Sequence, residues 1–300
     1  MRQIEPSYME ASARQRIAGV FDAGSFVEFL PPSSRITSPH LGQLDAPVAF
    51  DDGVAVGSAA LDGVAVLVAA QEGGFMGGAV GEVHGAKLVG LLRRAVIEQS
   101  AAVILLLESG GVRLHEANAG LIAVSEVMRA VLDARAAGVT VLTLAGGANG
   151  VFGGMGIVAR CTNAIVMSEE ARLAMSGPEV IETAAGVEEF DARDRALVWR
   201  TTGGKHRYLL GDCQVLVADS IAAFRAAAIA ALAARGASAL SLAGLEAEQA
   251  MLTDRLARFG AARDPIDIWR TMGVVKPQAL PLMEADAFLA AVAGVRAGGG

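Results

Sequence analysis

The residues best placed for chemistry are two glycine-rich turns. Ser109-Gly110-Gly111-Val112-Arg113 follows the apolar run 103–107, and Gly153-Gly154-Met155-Gly156 lies beyond the apolar run 139–144. Each turn leads into a segment that can start a helix. Glycine there leaves backbone N–H groups facing outward, at a helix N-terminus whose dipole favours negative charge. Two such turns at one end of a βαβ unit make a preformed hole for an anion. Glycine-rich turns are also ordinary loop punctuation, so the remaining residues have to separate the two readings.

Side-chain routes are poorly supplied. Ser109 stands at a strand end in Glu108-Ser109-Gly110-Gly111 rather than in a GxSxG elbow, and its nearest histidine in sequence, His115, has nothing identifiable to orient it. Cys161, near the end of a short helix, reads as a small buried hydrophobe. His40, His84, His115 and His206 never fall at ligand spacing with carboxylates, so no metal is assigned. The flexible turn 73–81 lacks a lysine at Walker spacing, which excludes a P-loop. Glu108, Arg113 and Glu116 read as an ion-pair cluster bracing the first turn. What is left is chemistry by backbone, the stabilisation of an oxyanion, and its natural clients are thioesters whose carbonyl becomes an enolate. Loss of one oxyanion donor typically costs about 10²–10³ in rate.

Those turns need rigid elements. Apolar runs at 103–107 and 139–144 suit strands buried on both faces, with a crossover helix between them. Upstream, residues 7–24 show a helical pattern ended by Gly24, and 26–30 a short extended piece. Residues 31–47, rich in Pro and Ser, form a loop that wraps the domain or covers a partner. Residues 54–57 and 64–70 pair antiparallel across Asp62-Gly63, and 84–99 is a helix with Lys87, Arg93 and Arg94 on its polar side. Downstream, strands are expected at 164–167, 172–175 and 215–217. Helices are expected at 178–185, where Pro178 takes the first turn, and at 191–199, 220–235 and 246–259, with one weak helix in a tail that frays in glycines. Short strands alternating with helices predict an α/β spiral of ββα units. A doubly wound sheet is the competing fold, but no GxGxxG follows the first strand.

Composition sets the outer limits. The chain has 300 residues, 53% hydrophobic and 19% charged, enough for a large buried core. A net charge of −7 disfavours a nucleic-acid role. Two cysteines without a CxxC pair exclude a zinc ribbon and a disulfide framework and point to a reducing compartment. The start lacks the apolar region of a signal peptide, and residues 215–234 are broken by Asp219 and Arg225, so a cytoplasmic protein without a membrane span is expected.

Taken in order, the two glycine turns and Ser176-Gly177-Pro178-Glu179-Val180-Ile181 resemble the carboxyltransferase branch of the crotonase superfamily. Ala13-Arg14-Gln15-Arg16-Ile17 and Asp22-Ala23-Gly24-Ser25-Phe26 are similar to the N-terminal helix and turn of that branch, so the likeness runs to about residue 235. The stretch 199–212 and the continuous run 108–120 resemble the malonate decarboxylase beta subunits. Acetyl-CoA carboxylase beta subunits share the core but carry a four-cysteine zinc ribbon that this chain lacks.

The resemblance implies one crotonase-fold domain over 1–300, with an N-terminal extension to about 47 and a helical tail from about 240. It implies a gamma partner of the same fold and, as substrate, malonyl carried as a thioester on an acyl carrier protein. That carrier's prosthetic group is a phosphoribosyl-dephospho-CoA derivative; no tightly bound cofactor, metal or biotin is expected. By position, Gly153 and Gly154 match the oxyanion-hole turn, and Gly110 and Gly111 the neighbouring turn that shapes the pocket. Ser109, Met155, Ser176 and Gly177 join them around the substrate and its arm. Arg113, Lys205, His206 and Arg207 either contact the arm's phosphates or, for 205–207, form part of a subunit interface. Two rival readings stand beside this one: transfer of the carboxyl group to biotin on another subunit, and a non-catalytic scaffold half.

Overall fold

A computed structural model describes residues 5–45, 48–234 and 240–296. The chain begins with α1 (Ala13–Val20), whose first turn is closed by a capping box between Ser12 and Gln15. β1 (Val27–Glu28), β2 (Val54–Leu61) and β3 (Val64–Gln71) pair antiparallel. Asp62 and Gly63 both take positive φ, 50° and 75°, the geometry a tight two-residue hairpin needs.

From β3 the chain turns into a repeat. α2 (Glu82–Glu98), β4 (Ala102–Leu107), α3 (Ala119–Ala136), β5 (Thr140–Ala145), α4 (Gly154–Cys161) and β6 (Ala164–Ser168) alternate. After α5 (Pro178–Ala185), α6 (Arg195–Thr202) and α7 (Gly204–Leu209), β7 (Val215–Val217) completes a seven-stranded sheet in sequence order, parallel from β3 onward. Beyond the strand ends, single-residue bridges form a second, shorter row: Val80 with Val112, Ser109 with Val151, Val151 with Leu173, and Arg172 with Gly203. Each turn of the chain therefore contributes a long strand, a short bridge and a helix, which is the expected ββα spiral.

The central strands are buried on both faces. Val103, Leu105 and Leu107 enter the core shared with α2, α3 and α4, while Ala102, Ile104 and Leu106 face α1 and α8 (Ile221–Ala233). This alternation is why the run reads as continuously apolar. α9 (Leu242–Phe259) buries no side chain, but α10 (Pro265–Thr271) and α11 (Ala285–Val292) return to the first core through Trp269, Phe288 and Val292.

Several expectations change. Residues 172–175 form no strand and make only bridges, Leu173 with Val151 and Arg172 with Gly203. The helix placed at 191–199 starts later, where the Asp194 carboxylate caps the N–H of Leu197. α7 and α10 were not anticipated. Lys87 is not on a solvated face: it is buried and donates to the carbonyls of Asp51 (3.1 Å) and Val54 (3.3 Å). Residues 46–47, Arg235 and the terminal glycines lie outside the described residues.

Candidate active site

Both glycine turns sit at the C-terminal ends of adjacent parallel strands, β4 and β5. The bridge between Ser109 and Val151 joins them, with Ser109 donating to the carbonyl of Gly150 and Phe152 donating to that of Ser109, both at 2.8 Å. They touch where side chains would keep them apart, since a Cβ on Gly153 would lie 3.3 Å from Cα of Gly111. Gly153 has φ 62° and ψ −143°, a conformation nearly confined to glycine.

The hydrogen bonds refine which amides are available. Gly153 donates to the carbonyl of Met175 at 3.0 Å, so it shapes the turn and is not an oxyanion donor. Gly154 and Met155 are the first two residues of α4 and have no acceptor within the helix. Among the described residues no other group accepts from their N–H groups. In the first turn, Gly110 donates to the carbonyl of Gly77 at 2.8 Å, and Gly111 makes a long 3.3 Å contact with the Ser109 hydroxyl. Gly154, expected from the sequence, and Met155 thus hold the unclaimed N–H groups; Gly154 is half-buried and Met155 fully buried.

Ser109 is fully buried, and its hydroxyl donates to the carbonyl of Gly111 at 3.2 Å. His115 instead approaches Glu116 at 3.8 Å, so no serine–histidine pair forms. The cluster expected from Glu108, Arg113 and Glu116 is divided. Arg113 lies between Asp51 (2.5 Å) and Glu116 (3.0 Å), whereas Glu108 pairs with Arg16 at 2.6 Å. Arg113 is 4% exposed and its donors go to Asp51, Glu116 and the carbonyl of Ala79, which leaves it no reach toward an external phosphate.

The basic stretch 205–207 also turns inward. Lys205 donates to the carbonyls of Pro281 and Met283 and approaches Glu169 at 3.6 Å. His206 is buried and accepts from the indole N–H of Trp269 at 3.1 Å; burial pushes its pKa down to about 3, so it is neutral. Arg207 is held by Asp212 at 3.1 Å and by the carbonyl of Thr201. Lys205 and His206 tie α7 to the C-terminal segment and Arg207 is held by its own neighbours, so these residues do not fit the role of receiving an arm's phosphates. Ser176 and Gly177 are half-buried at the start of α5, next to Met175, which is 71% exposed.

Cys161 and Cys213 are both free, and burial raises each thiol's pKa, that of Cys213 to about 12. Among the described residues no three His, Cys, Asp or Glu side chains gather as metal ligands, and no helix is long and apolar enough to cross a membrane.

Residues 10–249 match the carboxyl transferase domain family. The malonyl-S-ACP:biotin-protein carboxyltransferase of Malonomonas rubra is 41% identical over 308 residues, covering 95% of each chain. A Pseudomonas malonate decarboxylase hetero-tetramer in complex with malonate contains a chain that matches with a TM-score of 0.72 and 40% identity, over 77% of this chain and 84% of that one. A chain of a Pseudomonas malonate decarboxylase hetero-dimer matches with a TM-score of 0.63 and 36% identity, over 78% and 91%.

Proposed function

Since the chain belongs to the carboxyl transferase domain family, we propose that it is the beta subunit of a malonate decarboxylase, acting on malonyl held as a thioester on an acyl carrier protein. The observation that carries this is the unclaimed N–H of half-buried Gly154 at the head of α4, with that of buried Met155 behind it, beside the contact between the two glycine turns. Loss of CO₂ from the malonyl group leaves its bonding electrons on the methylene carbon, and they delocalise onto the thioester oxygen. That oxygen gains charge as the C–C bond breaks, so donors fixed in advance bind the enolate more tightly than the ketone. A proton from water or from a partner chain then gives the acetyl thioester.

The hetero-dimeric and hetero-tetrameric assemblies of the similar structures support a heteromeric partner, which this reading takes to be a gamma subunit of the same fold. In this reading the partner closes the open side of the turns. The carrier's phosphoribosyl-dephospho-CoA arm delivers the thioester, and its phosphates are received outside the 205–207 stretch. Two unpaired cysteines fit a cytoplasmic setting.

The Malonomonas relative favours a second reading, in which the carboxyl group passes to biotin. The same enolate hole serves both. The test is release of labelled CO₂ from malonyl-carrier protein by the reconstituted complex with avidin present: turnover that persists supports the decarboxylase, and turnover abolished by avidin assigns the transferase.

A further inference from the structure

A densely bonded buried side chain beside the site is Glu108, the residue between β4 and the first glycine turn, only 3% exposed. One carboxylate oxygen accepts from Arg16 Nη1 at 2.6 Å. The other accepts from the backbone N–H of Asn149 at 3.0 Å and from its side-chain amide at 2.9 Å. That amide also reaches the carbonyl of Gly73, and the backbone N–H of Glu108 donates to Gln71 Oε1 at 2.9 Å. Glu108 and Asn149 together thus connect the loops that follow β3, β4 and β5. Glycines surround it for a steric reason: a Cβ on Gly73 or Gly147 would run into the carboxylate, and one on Gly78 into the Glu108 carbonyl.

We propose that Glu108 is a positioning residue for the oxyanion turn. It touches no reacting atom. Its carboxylate holds Asn149, and through Asn149 the segment leading to Gly153 and Gly154, in register with Ser109–Gly111. Arg16, 2% exposed in its side chain and further bonded to the carbonyls of Tyr8 and Met9, supplies the countercharge that makes burial of the carboxylate tolerable. The motif Ala13-Arg14-Gln15-Arg16-Ile17 therefore serves the site from 92 residues away in sequence. The assignment of a catalytic consequence rests on the proposed function; the mechanical tie does not.

Two paired variants separate positioning from charge balance. Arg16→Met with Glu108→Gln removes both charges and keeps an acceptor for Asn149, whereas Arg16→Met with Glu108→Leu removes the acceptor too. In the reconstituted complex, the glutamine pair is expected to keep kcat near that of the unsubstituted protein. The leucine pair is expected to lose roughly 10²-fold in kcat with KM unchanged, the scale of a small misplacement in a preorganised site. Amide hydrogen exchange on the full chain gives a readout independent of turnover: the leucine pair should speed exchange in 109–112 and 149–154 together, and the glutamine pair in neither. Should the leucine pair fail to fold, Asn149→Ala leaves the buried ion pair intact and is expected to raise exchange across 147–154. Equal kcat in the two pairs, exchange rising in one turn alone, or no change in Asn149→Ala overturns the proposal. An unsubstituted complex without turnover would refute the function and leave the exchange result to decide the tie.

Discussion

At residue scale the site depends on a backbone conformation, so the informative substitutions add atoms to glycine. Gly153→Ala places a Cβ on a residue with φ 62° and ψ −143° and pushes toward Gly111. It is expected to cost about 1–3 kcal/mol in chemical denaturation and to lower turnover, because the turn it strains leads into the proposed donor at Gly154. Buried neutral histidines set a pH dependence. His84 and His206 both have pKa values pushed down to about 3 by burial, while the unfolded chain takes up their protons near pH 6.5. Their contribution is therefore complete above pH 6.5 and is lost as pH falls toward 3, by about 1.4 kcal/mol per pH unit for each histidine. Denaturation midpoints between pH 7 and pH 5 should fall less steeply in His206→Gln, whose amide oxygen can still accept from Trp269. The glycine turns were legible from residue type alone, since few other residues tolerate that approach of two backbones. Which amide stays free was not, because it depends on Met175, whose carbonyl reaches Gly153 only in the folded chain.

At element scale, periodicity located β7 and α5 at their observed limits, because a short apolar strand and a proline at the first helical turn are local signals. α10 was equally marked by Asp264 and Pro265, and the cap is made, with Asp264 accepting from Ile266. Lys87 was misplaced although Val83 and Leu91, one turn to either side, are both buried and share its face. Charge on a helix suggested solvent, and only the fold shows the carbonyls waiting for it. The same limit applies to α9, whose Leu242 and Leu256 are each 73% exposed. It is fastened by Arg255 to Asp212 (2.9 Å) and by Arg160 to Glu248 (3.2 Å) rather than by apolar burial. Its amides are expected to exchange far faster than those of α3 in the isolated chain. Arg255→Ala should accelerate α9 further and leave the melting of the sheet nearly unchanged, which exchange mass spectrometry and a thermal melt would show.

At the scale of the whole molecule, the glycine turns open onto a face, whereas Met155, the second residue with an unclaimed N–H, is fully buried. Gly110 is exposed and Gly111, Gly153 and Gly154 are half-buried. Apolar side chains flank them: Leu114, three residues past Gly111, is 87% exposed, and Met175, whose carbonyl holds Gly153, is 71% exposed. Exposed apolar groups beside a preorganised polar site are what a second subunit would cover, and covering them would also exclude the water that otherwise weakens each donor. The isolated chain is therefore expected to turn over almost no malonyl-carrier thioester, and activity should appear as the partner is titrated in. Met175→Glu puts a charge on that face without touching the backbone bond to Gly153. It should raise the partner concentration needed for half-maximal activity by roughly tenfold or more, the equivalent of about 1.4 kcal/mol, while kcat at saturating partner stays the same. A half-maximal concentration that does not move would show that the partner binds elsewhere and that the glycine face works uncovered.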